Sequence, residues 1–338
     1  MNGPAAERAP GGVSPSAQSA SALAADVREG LSRTPKQLPS KYLYDELGSL
    51  LFEAICALPW YRVTRAEIAL LTACAPQVAH HITGEPFIVE LGPGNGDKLL
   101  RLAEAFGTRP RKPHLHLIDI SSSALAAAEQ ALARLAGFTV TVAHATYDAG
   151  LAQLAGVRPP AAPMLTLLLG SNVGNFDDDE AVAFLRRVRD AGRAGDWLLL
   201  GADLVKPERD LVLAYDDPLG VTAAFNRNLL VRLNRELGAG FDLAQFDHRA
   251  VWNDRQSRVE MHLVSRGPQQ VAVGDAGIVA SFAGGESIWT ESSCKYTPAR
   301  VASLGKAAGF GLREQWLDTD AGFALSLFQS VPSTSPSR

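Results

Sequence analysis

Apolar positions along this chain follow two rhythms. From Phe87 onward, short apolar runs alternate with longer stretches in which apolar residues recur every three or four positions. The runs at 87–90, 115–118, 138–143, 164–169 and 197–202 predict buried strands. Residues 98–106, 121–135 and 177–191 carry the helical spacing; Ser121 stands where a cap belongs, and the acids of 177–180 suit a helix start. Strands alternating with helices of this length imply a parallel sheet with right-handed crossovers. After Lys206 the rhythm breaks. A helix is expected over Val221–Leu237, then short alternating strands at 250–252, 259–264, 270–273 and 278–282, with a hairpin turn at 254–257. The first rhythm returns with Pro298 at a helix start after Thr297, and strands at 312–317 and 323–328 follow, a pair expected at an antiparallel edge of the sheet.

Before Phe87 the pattern is less regular. Residues 1–19 and 331–338 are rich in Ala, Gly, Pro and Ser and read as disordered tails. An amphipathic helix over 20–31 (Leu23, Val27, Leu31) is interrupted by Pro35 and Pro39. A second helix runs to Ala57. Thr64 and Glu67 have capping-box spacing, with Val63 and Ile68 as a staple, so a third helix should start there and reach about Val78. Tyr42, Tyr44, Trp60 and Tyr61 crowd this region, as a packed lid or as aromatic walls for a ligand. The expected division is a sheet domain of 62–203 plus 295–330, and a second unit of 20–61 plus 204–294.

Composition narrows the function classes. With 338 residues, 46% hydrophobic, 20% charged and a net charge of −4, the chain reads as an ordinary globular protein of one large or two ordinary domains. There is no basic excess to neutralise phosphates, so no nucleic acid is expected. No apolar run approaches the roughly 18 residues of a membrane span, and the N-terminus lacks a signal pattern. No membrane partner is expected; a cytoplasmic monomer is. Cys56, Cys74 and Cys294 are too few for a disulfide framework and lack metal-ligand spacing. His80-His81 reads as a helix end, and no metal is expected.

The candidate chemistry centres on one turn. Glu90-Leu91-Gly92-Pro93-Gly94-Asn95-Gly96 joins a strand to the helix beginning near Lys98. Glycines at alternate positions let a ligand approach the main chain, and the helix start offers free N–H groups. A dinucleotide fingerprint needs its third glycine one residue later. An acid just before the first glycine fits the turn of S-adenosylmethionine (SAM) methyltransferases instead. In a parallel sheet, ligands sit at the carboxyl ends of strands. That rule nominates 90–96, Asp119, Thr146-Tyr147 and 170–175. Asp119 can accept two ribose hydroxyls or cap a helix.

The chain as a whole resembles the L-histidine Nα-methyltransferases of ergothioneine biosynthesis. The resemblance rests on Lys41-Tyr42-Leu43-Tyr44-Asp45, Leu58-Pro59-Trp60-Tyr61, the glycine turn, Leu169-Gly170-Ser171-Asn172-Val173-Gly174-Asn175, Ala214-Tyr215-Asp216-Asp217, Gly220-Val221-Thr222-Ala223-Ala224-Phe225-Asn226-Arg227-Asn228 and Glu291-Ser292-Ser293-Cys294-Lys295. It implies an α/β fold: a Rossmann-like class I methyltransferase sheet with an α+β substrate-binding second domain. It further implies SAM as methyl donor, L-histidine as the small-molecule substrate and three methylations of its α-amino group, giving hercynine. By the same resemblance, Gly92, Gly94, Lys98, Asp119, Thr146 and Tyr147 face SAM. Asn175 and Tyr215 clamp the substrate carboxylate; Tyr44 and Gly170 lie on the amino side; Tyr61, Met261, Glu291 and Ser293 form the imidazole pocket. Two positions depart from the family pattern: Thr146 stands where an acid usually precedes the aromatic, and Arg62 follows Tyr61 where an aromatic is usual.

The chemistry asks little of the protein beyond alignment and a neutral amine. Tyr44 is the side chain expected nearest the departing proton, as acceptor or as a positioning group. Glu291 and Ser293, two apart on an extended segment, can face one side and hydrogen-bond a ring. Glu291 can equally pair with Lys295 or Arg227.

Overall fold

The computed structural model describes residues 15–107, 109 and 112–332. Residues 1–14 and 333–338 of the expected tails lie outside the described residues. The chain opens with α1 (Pro15–Ser32), which starts five residues before the expected helix. A two-residue strand β1 (Lys36–Gln37) and a 3-10 turn (Ser40–Leu43) lead to α2 (Glu46–Ala57), capped by Asp45, which accepts the Gly48 N–H at 2.8 Å. The next helix, α3 (Val63–His81), corrects the sequence reading at its start. Arg62 is its N-cap and makes no side-chain cap bond. Thr64 lies inside the helix, and Glu67 is fully buried because it is drawn inward to other partners.

The first rhythm then builds as expected: β2 (Phe87–Leu91), α4 (Asp97–Phe106), β3 (His114–Asp119), α5 (Ser122–Leu132) and β4 (Thr139–His144). An unexpected helix α6 (Tyr147–Val157) precedes β5 (Met164–Leu168), a 3-10 turn (Asn172–Asn175), α7 (Asp178–Ala191) and β6 (Trp197–Asp203). Asp177 and Glu180 form a true capping box on α7. Next come a second unexpected helix, α8 (Glu208–Tyr215), and α9 (Val221–Leu237), whose bounds match the expectation. The strands β7 (Phe246–Asn253), β8 (Arg258–Ser265), β9 (Gln269–Val273), β10 (Ile278–Phe282) and β11 (Ser287–Cys294) precede α10 (Pro298–Ala307), β12 (Phe310–Asp318) and β13 (Phe323–Ser330).

Seven strands form the main sheet in the order β12-β13-β6-β5-β2-β3-β4. The five from β6 to β4 run parallel, whereas β13 is antiparallel to both β6 and β12. The order reverses between β2 and β5, and ligands bind at the carboxyl ends of strands at such a switch point. A four-stranded sheet, β1-β11-β8-β7, and the hairpin β9-β10 stand apart from it. The central strands β2 and β5 are buried at every position, as a sheet covered on both faces requires. A second core joins α1, α2, α8 and α9 to β7–β10. Among the described residues no helix is long and apolar enough to cross a membrane.

Candidate active site

The turn after β2 is built from three left-handed glycines, with φ of 75° at Gly92, 56° at Gly94 and 82° at Gly96. Their reasons differ. A Cβ on Gly96 would lie 2.9 Å from the Ala128 Cα, so this glycine lets α4 and α5 close together. A Cβ on Gly94 would meet nothing within 4 Å among the described residues, so its bareness serves no packing there. Beside Gly92 lie the Tyr147 hydroxyl and the Asn172 amide, 2.5 and 3.0 Å from where a Cβ would stand.

Charged groups collect under this turn. Glu90 is fully buried, and among the described residues neither carboxylate oxygen has a hydrogen-bond partner. Burial pushes its carboxyl up to about 8, against the pull of Lys98. Lys98, in the first turn of α4, lies 2.9 Å from Glu67. Burial opposes the Lys98 charge, yet Glu67 and Glu90 hold its affinity for a proton above the ordinary lysine value. Glu67 also accepts the Gly170 N–H with both oxygens at 2.8 Å. Asp119 ends β3 and accepts the Ser121 N–H at 2.8 Å; burial raises its carboxyl above the usual range. Tyr147 begins α6 with its ring 5.8 Å from that of Phe184. Thr146 is the cap of α6, accepting the Ala149 N–H at 3.3 Å.

These residues fit SAM, a methyl donor carrying a cationic sulfonium and an ammonium. A buried carboxylate without a partner, a turn open at Gly94 and an acid at the end of the next strand suit a cationic nucleoside. Among the described residues no cluster of three or more His, Cys, Asp or Glu could hold a metal ion.

A small, partly open cavity of about 30 Å³ lies beside the turn. Tyr44, Tyr61, Gly170, Asn175, Tyr215, Met261, Glu291 and Ser293, all singled out from the sequence, line it. Asn172, inside the nominated stretch 170–175, lines it too, and so do Phe52, Ile55, Thr222 and Phe225, to which the sequence assigns no role. Tyr44 sits between the first 3-10 turn and α2, its ring edge-on to Phe52 at 5.5 Å and Phe225 at 5.4 Å. Tyr61 meets Tyr215 edge-on at 6.2 Å. Asn172 belongs to both places, lining the cavity and reaching over Gly92.

Glu291 owes its aim to a bulge. The pairing of β11 with β8 shifts between Trp289 and Glu291, so Thr290 and Glu291 are both buried where strict alternation would expose one. Thr290 then donates to Asn226 at 2.7 Å, and Glu291 faces the cavity. Burial pushes Glu291 up to about 7; the Lys295 charge and a hydrogen bond from Tyr44 pull the other way. Neither surface partner considered for Glu291 is engaged with it. Lys295 pairs with Asp203 at 3.0 Å, and Arg227 donates to the Phe246 carbonyl at 2.9 Å.

The run from Gly220 to Asn228 explains itself through its partners. Asn228 donates to Asp45 at 2.7 Å, which ties α9 to the start of α2 beside Tyr44. Asn226, fully buried, donates to His248 Nδ1 at 2.9 Å, and His248 Nε2 donates to the Tyr215 carbonyl at 2.8 Å. Burial holds His248 below its ordinary pKa, in keeping with the neutral ring that these two bonds require. The backbone of Tyr215 is thereby fixed from behind.

Residues 23–330 match the family model described as histidine-specific methyltransferase, SAM-dependent. The chain is 40% identical over 307 residues to a histidine N-alpha-methyltransferase of Mycobacterium tuberculosis, covering 90% of this chain and 94% of that protein. It is 38% identical over 309 residues to the protein of that name from Mycolicibacterium smegmatis, covering 91% and 95%. Ergothioneine biosynthesis protein 1 of Neurospora crassa is 33% identical over 207 residues, 60% of this chain and 23% of that larger protein. With the glycine turn, the adjoining cavity and a match across residues 23–330, the chain belongs to the family of histidine-specific, SAM-dependent methyltransferases.

Proposed function

We propose that this chain trimethylates the α-amino group of L-histidine to hercynine with SAM as donor, the first step toward ergothioneine. The observation that carries the reading is one cavity in which Glu291 and Ser293 stand ready for a ring and Tyr215 and Asn175 for a carboxylate, opening at Asn172 onto the glycine turn. In this reading 62–203 plus 295–330 bind SAM, and 20–61 plus 204–294 supply most of the substrate walls. We take the enzyme to be a cytoplasmic monomer.

SAM, when bound, supplies a methyl group on a sulfonium whose leaving group is neutral. The residues at hand do the rest by alignment. Gly92, Gly94, Lys98, Asp119, Thr146 and Tyr147 hold the donor, with Thr146 acting through the α6 cap. Asn175 and Tyr215 fix the carboxylate, and the main chain at Gly170 borders the amine. Burial and the charge of Glu291 push the Tyr44 hydroxyl well above its ordinary pKa. Tyr44 therefore works as a neutral hydrogen-bonding group rather than as a phenolate base. Glu291, near neutrality, accepts a ring N–H, and Met261 closes the ring pocket as an apolar wall.

The test is mass spectrometry of the purified chain with SAM and each of the twenty amino acids. Products carrying one, two and three added methyl groups on histidine alone are expected. The aromatic walls, Tyr44, Phe52 and Phe225, also suit another aromatic amino acid. Methylation of tryptophan, tyrosine or phenylalanine in preference to histidine would establish that second reading. SAM binding without any product would point to a non-catalytic, SAM-binding regulatory role.

A further inference from the structure

A buried cation stands directly behind the cavity wall. Lys295 is fully buried, and its ammonium addresses three oxygens: Asp203 Oδ2 at 3.0 Å, the Tyr215 hydroxyl at 2.8 Å and Ser293 Oγ at 2.8 Å. The Tyr215 hydroxyl donates to Ser293 Oγ at 2.8 Å. Asp203 ends β6, its backbone N–H donates to Ser171 Oγ at 2.9 Å, and its second oxygen takes Lys206 at 2.6 Å. Lys295 thus connects the end of the main sheet to two cavity residues.

Counting protons gives the arrangement a consequence. An ammonium has three N–H groups and no acceptor, so Lys295 is fully committed. Each hydroxyl oxygen accepts one of those bonds. The two hydroxyls own two protons, and one is spent on the bond between them. A single O–H remains for the cavity.

We propose that Lys295, held by Asp203, is a positioning residue that couples recognition of the substrate carboxylate to recognition of its ring. This rests on the function proposed above. In the structure the outward proton is on Ser293, because Tyr215 donates to it; a carboxylate against Tyr215 reverses that bond and draws the outward proton onto the tyrosine hydroxyl. Ser293 then donates to Tyr215 and keeps one lone pair, which suits a ring N–H and rejects a ring lone pair. The buried positive charge strengthens the Tyr215 donor toward an anion and offers nothing to a substrate that lacks one.

The test compares L-histidine with histamine, which keeps the ring and amine and lacks the carboxylate. Calorimetry is run on the full chain with saturating S-adenosylhomocysteine, so that no turnover occurs. Wild type is expected to bind histidine more tightly than histamine. In Lys295→Met, histidine should weaken by about 10- to 100-fold and histamine by less than about threefold, with S-adenosylhomocysteine affinity unchanged. Equal weakening of both ligands, or of neither, overturns the proposal. Lys295→Met leaves Asp203 with Lys206 as partner. Should that variant fail to fold, Lys295→Met/Asp203→Asn removes both charges of the pair and is read in the same way. A wild type that does not bind histidine rejects the underlying function. A wild type that prefers histidine, with variants that match it, rejects only the role of Lys295.

Discussion

The Glu67 carboxylate lies 2.9 Å from the Lys98 ammonium, and both of its oxygens accept the Gly170 N–H at 2.8 Å. One buried acid on α3 thus joins the helix after the glycine turn to the turn that borders the cavity. Removing one partner of a buried pair leaves a charge without compensation. Glu67→Gln should destabilise the protein by about 3 kcal/mol in urea unfolding, and Glu67→Gln/Lys98→Met should recover part of that loss. A single variant within about 0.5 kcal/mol of wild type contradicts this.

Two neighbouring glycines should respond differently to the same methyl group. Gly94→Ala meets no atom of the described residues and should cost only about 1 kcal/mol for its left-handed φ, yet it should abolish SAM binding measured by calorimetry. Gly96→Ala drives a Cβ to 2.9 Å from the Ala128 Cα and should cost more stability than Gly94→Ala in thermal unfolding. The reverse order of stabilities would refute this division of roles.

Glu90 makes the ligand-free protein sensitive to base. Its carboxyl is raised by burial from 4.5 to about 8. The unfolded chain releases that proton near its ordinary pKa, whereas the folded protein keeps it up to about pH 8. Stability from this group is therefore complete below about pH 4.5 and is lost as pH rises toward 8. Glu90→Gln mimics the protonated form. It should melt at least about 2 °C above wild type at pH 8 and show no such gain near pH 5.

Glu291 should carry selectivity more than turnover. Its removal leaves a ring N–H without an acceptor but does not touch the methyl donor. In Glu291→Ala, kcat/KM for histidine should fall about 10- to 100-fold, while other aromatic amino acids gain relative to it in competition assays. An unchanged ranking would place the discrimination elsewhere.

The sheet was legible in the sequence because each buried strand is a continuous apolar run and each helix keeps its own period. The bounds of α9 were readable for the same reason. Helix α6 was hidden by Gly150 and Gly156, residues that weaken a helical pattern. Gly150 is explained only by packing: a Cβ there would lie 2.4 Å from Ile118. Helix α8 is short, starts after Pro207 and has no side-chain cap. The false capping box at Thr64 shows the limit of local spacing. Glu67 has the right offset to serve Thr64, and its actual partners are 31 and 103 residues away. Of the residues that line the cavity, Gly170, Asn172 and Asn175 followed from the strand-end rule and Tyr44 and Tyr61 from the crowding of aromatics, whereas Tyr215, Met261, Glu291 and Ser293 were accessible only through family resemblance. The Asp203–Lys295 pair behind them left no local trace, since it joins a strand end to the segment before α10.

The most direct test of the account is where the methyl groups go. The purified chain is incubated with histidine and SAM labelled with carbon-13 at the methyl group, and the product is followed by NMR. Successive mono-, di- and trimethyl signals on the α-nitrogen are expected, ending in one resonance from three equivalent methyl groups, with ring nitrogens unlabelled. Label on an imidazole nitrogen, or on the carboxylate, would mean that histidine lies in the cavity the other way round and would contradict the account.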